Sequence, residues 1–322
     1  MFEGFTRYQL NRPLTDEEKA ARLPTGEPCS ATPKDGFTAF SISESCLEIS
    51  DARFRDKGYG LLAFLLPGMA SLAGILLILW MMTHMPPIYA ERGETGIVYG
   101  GLSFCLVIFM GLFGVGVWAM MRDCFGYTRY PIRLSRQNQM IYAFRHNGPG
   151  GLVSVPWDKA FFYVERRAKA GAARTASRLV RCLVLSDSGQ VIDTFSLGKR
   201  VVLAFEEDSE VGQQVMGEFY SFFEYYRRFM ADGASAVPPI TQFLPTKISL
   251  RNSLKMQFED VSDIVNSPNP ALWLLFALTA IPSVIQGCLN YLAQLTCREP
   301  VWPEDVERAC NAAPRTTKRL AT

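Results

Sequence analysis

Histidine is nearly missing: His84 and His146 are the only two in 322 residues, so imidazole acid–base catalysis has little to draw on. Also missing are a GxSxG elbow, an HExxH helix, a P-loop and the protein-kinase signatures. The eight cysteines include no CxxC pair and no Cys/His grouping at zinc spacing, which speaks against a metal site. Asp158, Glu165, Asp187 and Asp193 fall in strand or turn patterns with no pairing visible in sequence, so solvated surface is their default reading. Together these absences point away from an enzyme and from any cofactor. A net charge of +2 is too small for the broad basic surface that nucleic acid requires. The first fifty residues have no basic start followed by an apolar run, carrying the acidic TDEEKAARLP instead, so no cleavable signal peptide is expected.

What the chain does have is apolar length. It is 48% hydrophobic, and residues 58–90, 97–121 and 271–297 hold no Asp, Glu, Lys or Arg. Each is long enough for a bilayer core of about 30 Å, which needs roughly 20 helical residues. Trp80 closes the first, ahead of Pro86 and Pro87. Gly100, Gly101, Gly111, Gly114 and Gly116 in the second suit close packing against the first. The third contains Pro282, Gln286 and Asn290, so a buried soluble helix competes with a span there. Ionisable groups at membrane depth, which transporters and pumps use, are lacking in all three.

Flanking charges set an expected orientation. Arg53, Arg55 and Lys57 precede the first stretch and Arg122, Arg129, Arg133 and Arg136 follow the second, whereas Arg92 stands between them against Glu91 and Glu94. A hairpin with both ends in the cytoplasm follows, and a third crossing then sends the C-terminal tail outward, although Arg298, Arg308, Arg315, Lys318 and Arg319 argue against export. An outside tail would hold Cys297 and Cys310 as the two cysteines in an oxidising compartment; a disulfide across CREPVWPEDVERAC is then one expectation and two free thiols the other.

Between the second and third stretches the pattern shortens. YPIRLSR, QMIYAFR, GLVSVPW, AFFYVERR, RLVRCLVLSD and QVIDTFSLG read as strands, with NGPGG and DSGQ as hairpin turns. They are followed by an amphipathic helix whose arc gathers Val211, Val215, Met216, Phe219, Phe222, Phe223, Tyr226, Phe229 and Met230. Glu206, Glu207, Asp208 and Ser209 suit its start, Asp232 and Gly233 its stop, and Glu224 pairs with Arg228 on its polar side. Antiparallel strands followed by one long helix is the order of a pleckstrin-homology-like module, with a helix across an open sheet as the alternative. Arg166, Arg167, Lys169, Arg174, Arg178 and Arg181 read as a basic loop that is either solvated or in contact with anionic lipid. Leu250, Leu254, Phe258, Val261 and Val265 mark a second amphipathic helix, on the bilayer or on the domain.

The expected architecture is a membrane protein of mixed α and β structure. It comprises an N-terminal cytoplasmic segment (1–57), a transmembrane helical hairpin (58–121), a cytoplasmic antiparallel β domain with amphipathic helices (122–266), a third transmembrane helix (267–297) and a tail (298–322). Solvent-facing candidates for gripping a partner are Tyr220 and Tyr225 at the margins of the helix arc, Trp157 and Trp302.

LTDEEKAARLP, CLEISDARFRDKGYG, VPWDKAFFYV, FFEYYRRFMADGASAVP and CREPVWPEDVERAC, in that order along most of the chain, resemble a proteobacterial family of uncharacterised membrane proteins encoded beside type VI secretion effectors. The resemblance implies a bacterial inner-membrane immunity protein that binds and neutralises a cognate toxin, or alternatively a membrane-tethered adaptor or chaperone for an effector. It carries no catalytic residues with it.

Overall fold

The computed structural model describes residues 2–3, 6–169, 172–202, 209–258 and 270–311. Glu206, Glu207, Asp208, Val261, Val265, Arg315, Lys318 and Arg319, and the side chain of Val211, lie outside the described residues. The chain divides into a β unit (Met1–Arg55, Arg129–Thr246 and Glu299–Thr322) and a helical unit (Asp56–Thr128 and Lys247–Arg298). The segments expected to stand apart, 1–57 and 298–322, thus supply parts of the β unit itself.

The β unit is antiparallel throughout. Its strands are β1 (Phe2–Glu3), β2 (Thr6–Arg7), β3 (Arg12–Pro13), β4 (Arg22–Leu23), β5 (Ala39–Ile42), β6 (Cys46–Ile49), β7 (Ile132–Ser135), β8 (Met140–Phe144), β9 (Leu152–Pro156), β10 (Phe161–Lys169), β11 (Ala172–Leu185) and β12 (Gln190–Val202). One five-stranded sheet runs β5-β6-β7-β8-β9, a second runs β3-β12-β11-β10-β4, and β1 pairs with β2 alone. The six strands read from the sequence are β7 to β12, joined where expected by NGPGG and DSGQ. Gly189 takes φ +74 in the latter and donates its N–H to the Ser186 carbonyl at 2.9 Å. Strand β6 pairs directly with β7, Cys46 opposite Ser135 and Glu48 opposite Arg133, so the apolar hairpin is an insertion between two neighbouring strands.

The period-2 alternation puts Leu47, Ile49, Ile132, Leu134 and Ile141 of the first sheet and Phe162, Val180, Cys182, Phe195 and Leu197 of the second into one buried core. The helix Glu210–Asp232 completes it with Met216, Phe219, Phe223, Tyr226, Phe229 and Met230. Ser209 caps this helix by accepting from the Gly212 N–H at 3.1 Å, and Gly233 at φ +97 ends it. The aromatic stretch is therefore core, with Trp157, Phe162 and Phe223 in mutual contact at centroid distances of 5.1, 5.2 and 6.3 Å. On the outer face of the second sheet Leu10, Leu14 and Ala21 cover Phe161, Tyr163, Leu183 and Val191.

The basic stretch is not a loop. It forms the far end of the long β10–β11 hairpin, where Arg166 stands opposite Arg178; small residues with arginines between them disguised a strand whose alternation is one-sided.

In the helical unit the first apolar helix runs from Tyr59 through a π-turn at Phe64–Gly68 to Thr83. Pro67 lies in that turn and has no N–H to continue the ordinary ladder. The second is continuous over Thr95–Cys124. Asp123 fastens the two, because one carboxylate oxygen accepts the N–H groups of Gly58 (2.8 Å), Gly60 (2.9 Å) and Leu61 (3.3 Å), which a helix start leaves unsatisfied. The helices meet at Gly60 with Ala119, Gly68 with Gly116, and Gly74 with Phe109. Of the five glycines expected at this seam only Gly116 is there; Gly100, Gly101, Gly111 and Gly114 meet nothing within 4 Å.

The third apolar helix, Pro270–Leu295, buries the polar groups that made it ambiguous: Gln286 and Asn290 both donate to the Lys57 carbonyl at 3.0 Å. The second amphipathic segment, Leu250–Gln257, packs against this helix. Leu254 lies at Gly287 and Phe258 at Phe276, so the chain descends one helix and returns along the other. All three apolar helices are long and apolar enough to cross a membrane.

Candidate functional site

The C-terminal segment packs on the outer face of the first sheet. Inner-facing Leu47, Ile132 and Leu134 are flanked in sequence by outward-facing Cys46, Glu48, Arg133 and Ser135. Glu48 and Arg133 are cross-strand partners, and the Arg133 Nε donates to the Glu48 carboxylate at 2.7 Å. The guanidinium so oriented lies 4.5 Å over the ring of Trp302, which meets Phe144 edge-on at 5.9 Å. Asn147 in the NGPGG turn donates to the Glu299 carbonyl at 3.0 Å and accepts the Val301 N–H at 2.9 Å. Trp302, Val306 and Cys310, four residues apart, all face inward and are buried. Ser45 closes the strip by donating to the Cys310 carbonyl at 2.6 Å.

Replacing Trp302 with leucine keeps apolar cover but removes the ring from Arg133 and Phe144. The expected loss is about 2 kcal/mol, or roughly thirtyfold more frequent release of the segment. Limited trypsinolysis of the detergent-solubilised protein at Arg308 reads it; an unchanged cleavage rate would mean that Val306 and Cys310 hold the segment unaided.

Two buried ion networks stand elsewhere in the β unit. Arg181, fully buried on β11, pairs with Glu165, donates to the Tyr8 hydroxyl at 2.6 Å and to the Thr194 hydroxyl at 3.2 Å, and lies 3.9 Å from the Tyr8 ring centroid. Glu224, fully buried on the amphipathic helix, accepts two bonds from Arg227 (2.8 Å each), one from Arg228 (2.7 Å) and the Cys29 N–H (3.1 Å). Burial opposes its ionisation, but these donors overcome that and hold its carboxyl at about 2. Burial, reinforced by that carboxylate, pushes the Cys29 thiol up to about 12, so it stays protonated. Both networks lie within the β unit. Among the described residues no group of three or more His, Cys, Asp or Glu side chains is placed to hold a metal ion.

Residues 108–314 match a family model described as a family of unknown function, DUF6708. The chain belongs to the DUF6708 family. No curated protein and no solved structure matches it. The family match takes in β7 to β12, the amphipathic helix, the third apolar helix and Trp302 to Cys310, while Cys46 and Glu48 fall outside it.

Three of the four candidate partner residues of this DUF6708 chain are buried. Tyr225 is 1% exposed and donates to the Pro238 carbonyl at 3.0 Å; Trp157 and Trp302 are buried as described, and Tyr220 is half-buried against the core. A helical wheel assigns Tyr220 and Tyr225 to the arc margin, but other parts of the chain cover that margin. Of the candidate lipid-contact residues Arg166 is exposed and Arg178 is buried, while the side chains of Arg167, Lys169 and Arg174 lie outside the described residues. Glu165 is a half-buried ion-pair partner rather than a solvated carboxylate. Cys297 and Cys310 are both unbonded, the second of the two expectations: the Cys297 thiol lies within hydrogen-bond reach of the carbonyls of Ala293 (3.1 Å), Asp123 (3.3 Å) and Cys124 (3.3 Å) in the helical unit, while Cys310 packs in the β unit. The tail, expected to stand apart, instead folds into the β unit from Glu299 on. Sequence reasoning missed Cys46, Glu48 and Tyr8; the alternation in FTAFSISESCLEIS was the available signal for the first two.

Proposed function

We propose that this DUF6708 protein is a non-enzymatic inner-membrane immunity protein that binds and neutralises a cognate type VI secretion toxin. The observation that carries the reading is the manner of tethering. An apolar hairpin is inserted between adjacent strands β6 and β7, so the β unit is covalently fixed at both hairpin ends, and residues 59–83, 95–121 and 276–295 hold no charged side chain with which to move an ion. Such a construction suits a binding domain held at a bilayer. The flanking Arg53, Arg55, Arg122 and Arg129 favour a cytoplasmic β unit, tail included. Two antiparallel sheets followed by a packed helix also favour a pleckstrin-homology-like reading of that unit.

The motifs behind the resemblance lie largely in the core, as Trp157, Phe162 and Phe223 do, so the specific partner surface belongs to exposed positions such as Arg166, Ile192 and Val301. Deleting the gene is expected to make cells sensitive to attack by sibling cells with active secretion. Survival unchanged in that contact overturns the immunity reading, and reduced export of one effector from the deletion strain would favour an adaptor instead.

A further inference from the structure

We propose that Cys46 and Cys310 are a reversible disulfide pair, a modification site that locks the C-terminal segment onto strand β6. The sulfurs lie 2.7 Å apart, against a bond length of about 2.05 Å. Both residues are unbonded and buried in the structure, at 8% and 6% exposure. Two features hold them in register independently of any bond: Cys46 opens β6 opposite Ser135, and the Ser45 hydroxyl grips the Cys310 carbonyl. Cys46 and Cys310 are 264 positions apart in sequence, and the stretch between them includes the whole helical unit, so pairing would close a covalent loop that contains it.

The surroundings make the two thiols unequal. Cys310 is held below the ordinary thiol range by the hydrogen bond from Cys46 and by the charge of Arg133, against burial and Glu48; Cys46 is raised by the same hydrogen bond and by burial. Cys310 is therefore the nucleophile and Cys46 the resolving thiol. The oxidant is a peroxide, small enough to reach a buried pair. The Cys310 thiolate attacks one oxygen of hydrogen peroxide, the O–O bond breaks, and a sulfenic acid and hydroxide result. Cys46 then attacks the Cys310 sulfur, the S–O bond breaks, and the departing hydroxide leaves as water with the proton of Cys46. Two thiols have lost two hydrogens and one peroxide has become two waters; a dithiol reductant reverses the step.

Locking matters because the segment is otherwise held by Trp302, Val306 and a few hydrogen bonds. The reduced protein can release it, and the oxidised protein cannot.

The test uses the full chain, reduced in detergent, exposed to hydrogen peroxide, alkylated and digested. The expected product is a linked peptide pair carrying Cys46 and Cys310, with Cys29, Cys182 and Cys297 recovered alkylated and with trypsinolysis at Arg308 slowed about tenfold or more. C46S and C310S should each abolish the link and the slowing. Recovery of Cys46 and Cys310 as two separately alkylated thiols, while methionine oxidation proves that peroxide acted, overturns the proposal. So does linkage of either to another cysteine. The wild-type digest decides even where a variant fails to fold.

Discussion

Arg181→Met is expected to lower the stability of the β10–β12 region by about 3–5 kcal/mol, the range for stripping one partner from a buried ion pair. Methionine fills much of the aliphatic volume, so the loss is electrostatic rather than a cavity. The arginine side chain is fully buried, and its removal takes the guanidinium from the Glu165 carboxylate, to which the Tyr8 hydroxyl still donates at 2.8 Å. It also removes the guanidinium stacked 3.9 Å from the Tyr8 ring. A second substitution, Glu165→Leu in the Arg181→Met background, is expected to recover most of the loss, because replacing both groups leaves no charge of the pair without its partner. Hydrogen exchange of β10 and β11 amides in the detergent-solubilised protein measures both, with exchange about two hundredfold faster or more expected for the single variant. If the single and double variants exchange alike, Glu165 is satisfied without Arg181 and the network is incidental.

Why was this network illegible when the strand carrying it was plain? Alternation along RLVRCLVLSD puts Leu179, Arg181 and Leu183 on one face and Val180 and Cys182 on the other, and both faces are buried. Period-2 reasoning assigns the sides of a strand but not what covers them. The cover of Arg181 comes from Tyr8, 173 positions away. Strands β7 to β12 were legible because their turns are local, whereas the pairing of β6 was not, since its neighbour β7 follows only after the apolar hairpin. The same limit explains the tail. Counting three crossings places it across the membrane from the β domain, but Trp302 and Cys310 reveal their contacts only once Arg133, Phe144 and Cys46 are adjacent. Trp157, Tyr225 and Trp302 were chosen as grips because such residues are common at interfaces; here the same aromatic bulk fills the core. Compositional arguments for a gripping surface fail at these three positions.

Glu224→Gln tests the second network, and there the expected effect depends on pH. In the folded state the Glu224 carboxyl titrates at about 2, whereas an unfolded glutamate titrates near ~4.3. A depressed folded value means the carboxylate stabilises the fold fully above the unfolded value, and that contribution fades as pH falls from about 4.3 toward about 2. The difference corresponds to roughly 3 kcal/mol at neutral pH. The real figure will sit at or below this, because the Arg228 side chain is 29% exposed and can be rehydrated when its partner goes. Arg227, at 12%, has less access to water, so the loss does not vanish. Glutamine keeps one acceptor oxygen but turns an amide N–H₂ toward guanidinium donors, so it cannot replace the bonds from Arg227, Arg228 and the Cys29 N–H together. The variant is expected to unfold more readily at pH 7 and to approach wild type as the pH drops toward 2, since protonation removes from the wild type what the substitution has already removed. Exchange of the amides in the amphipathic helix and in the segment around Cys29, followed from pH 7 to pH 3 with correction for intrinsic rates, reads the convergence. Parallel curves with a constant gap would show that the carboxylate charge is not what holds residues 29–31 over the helix.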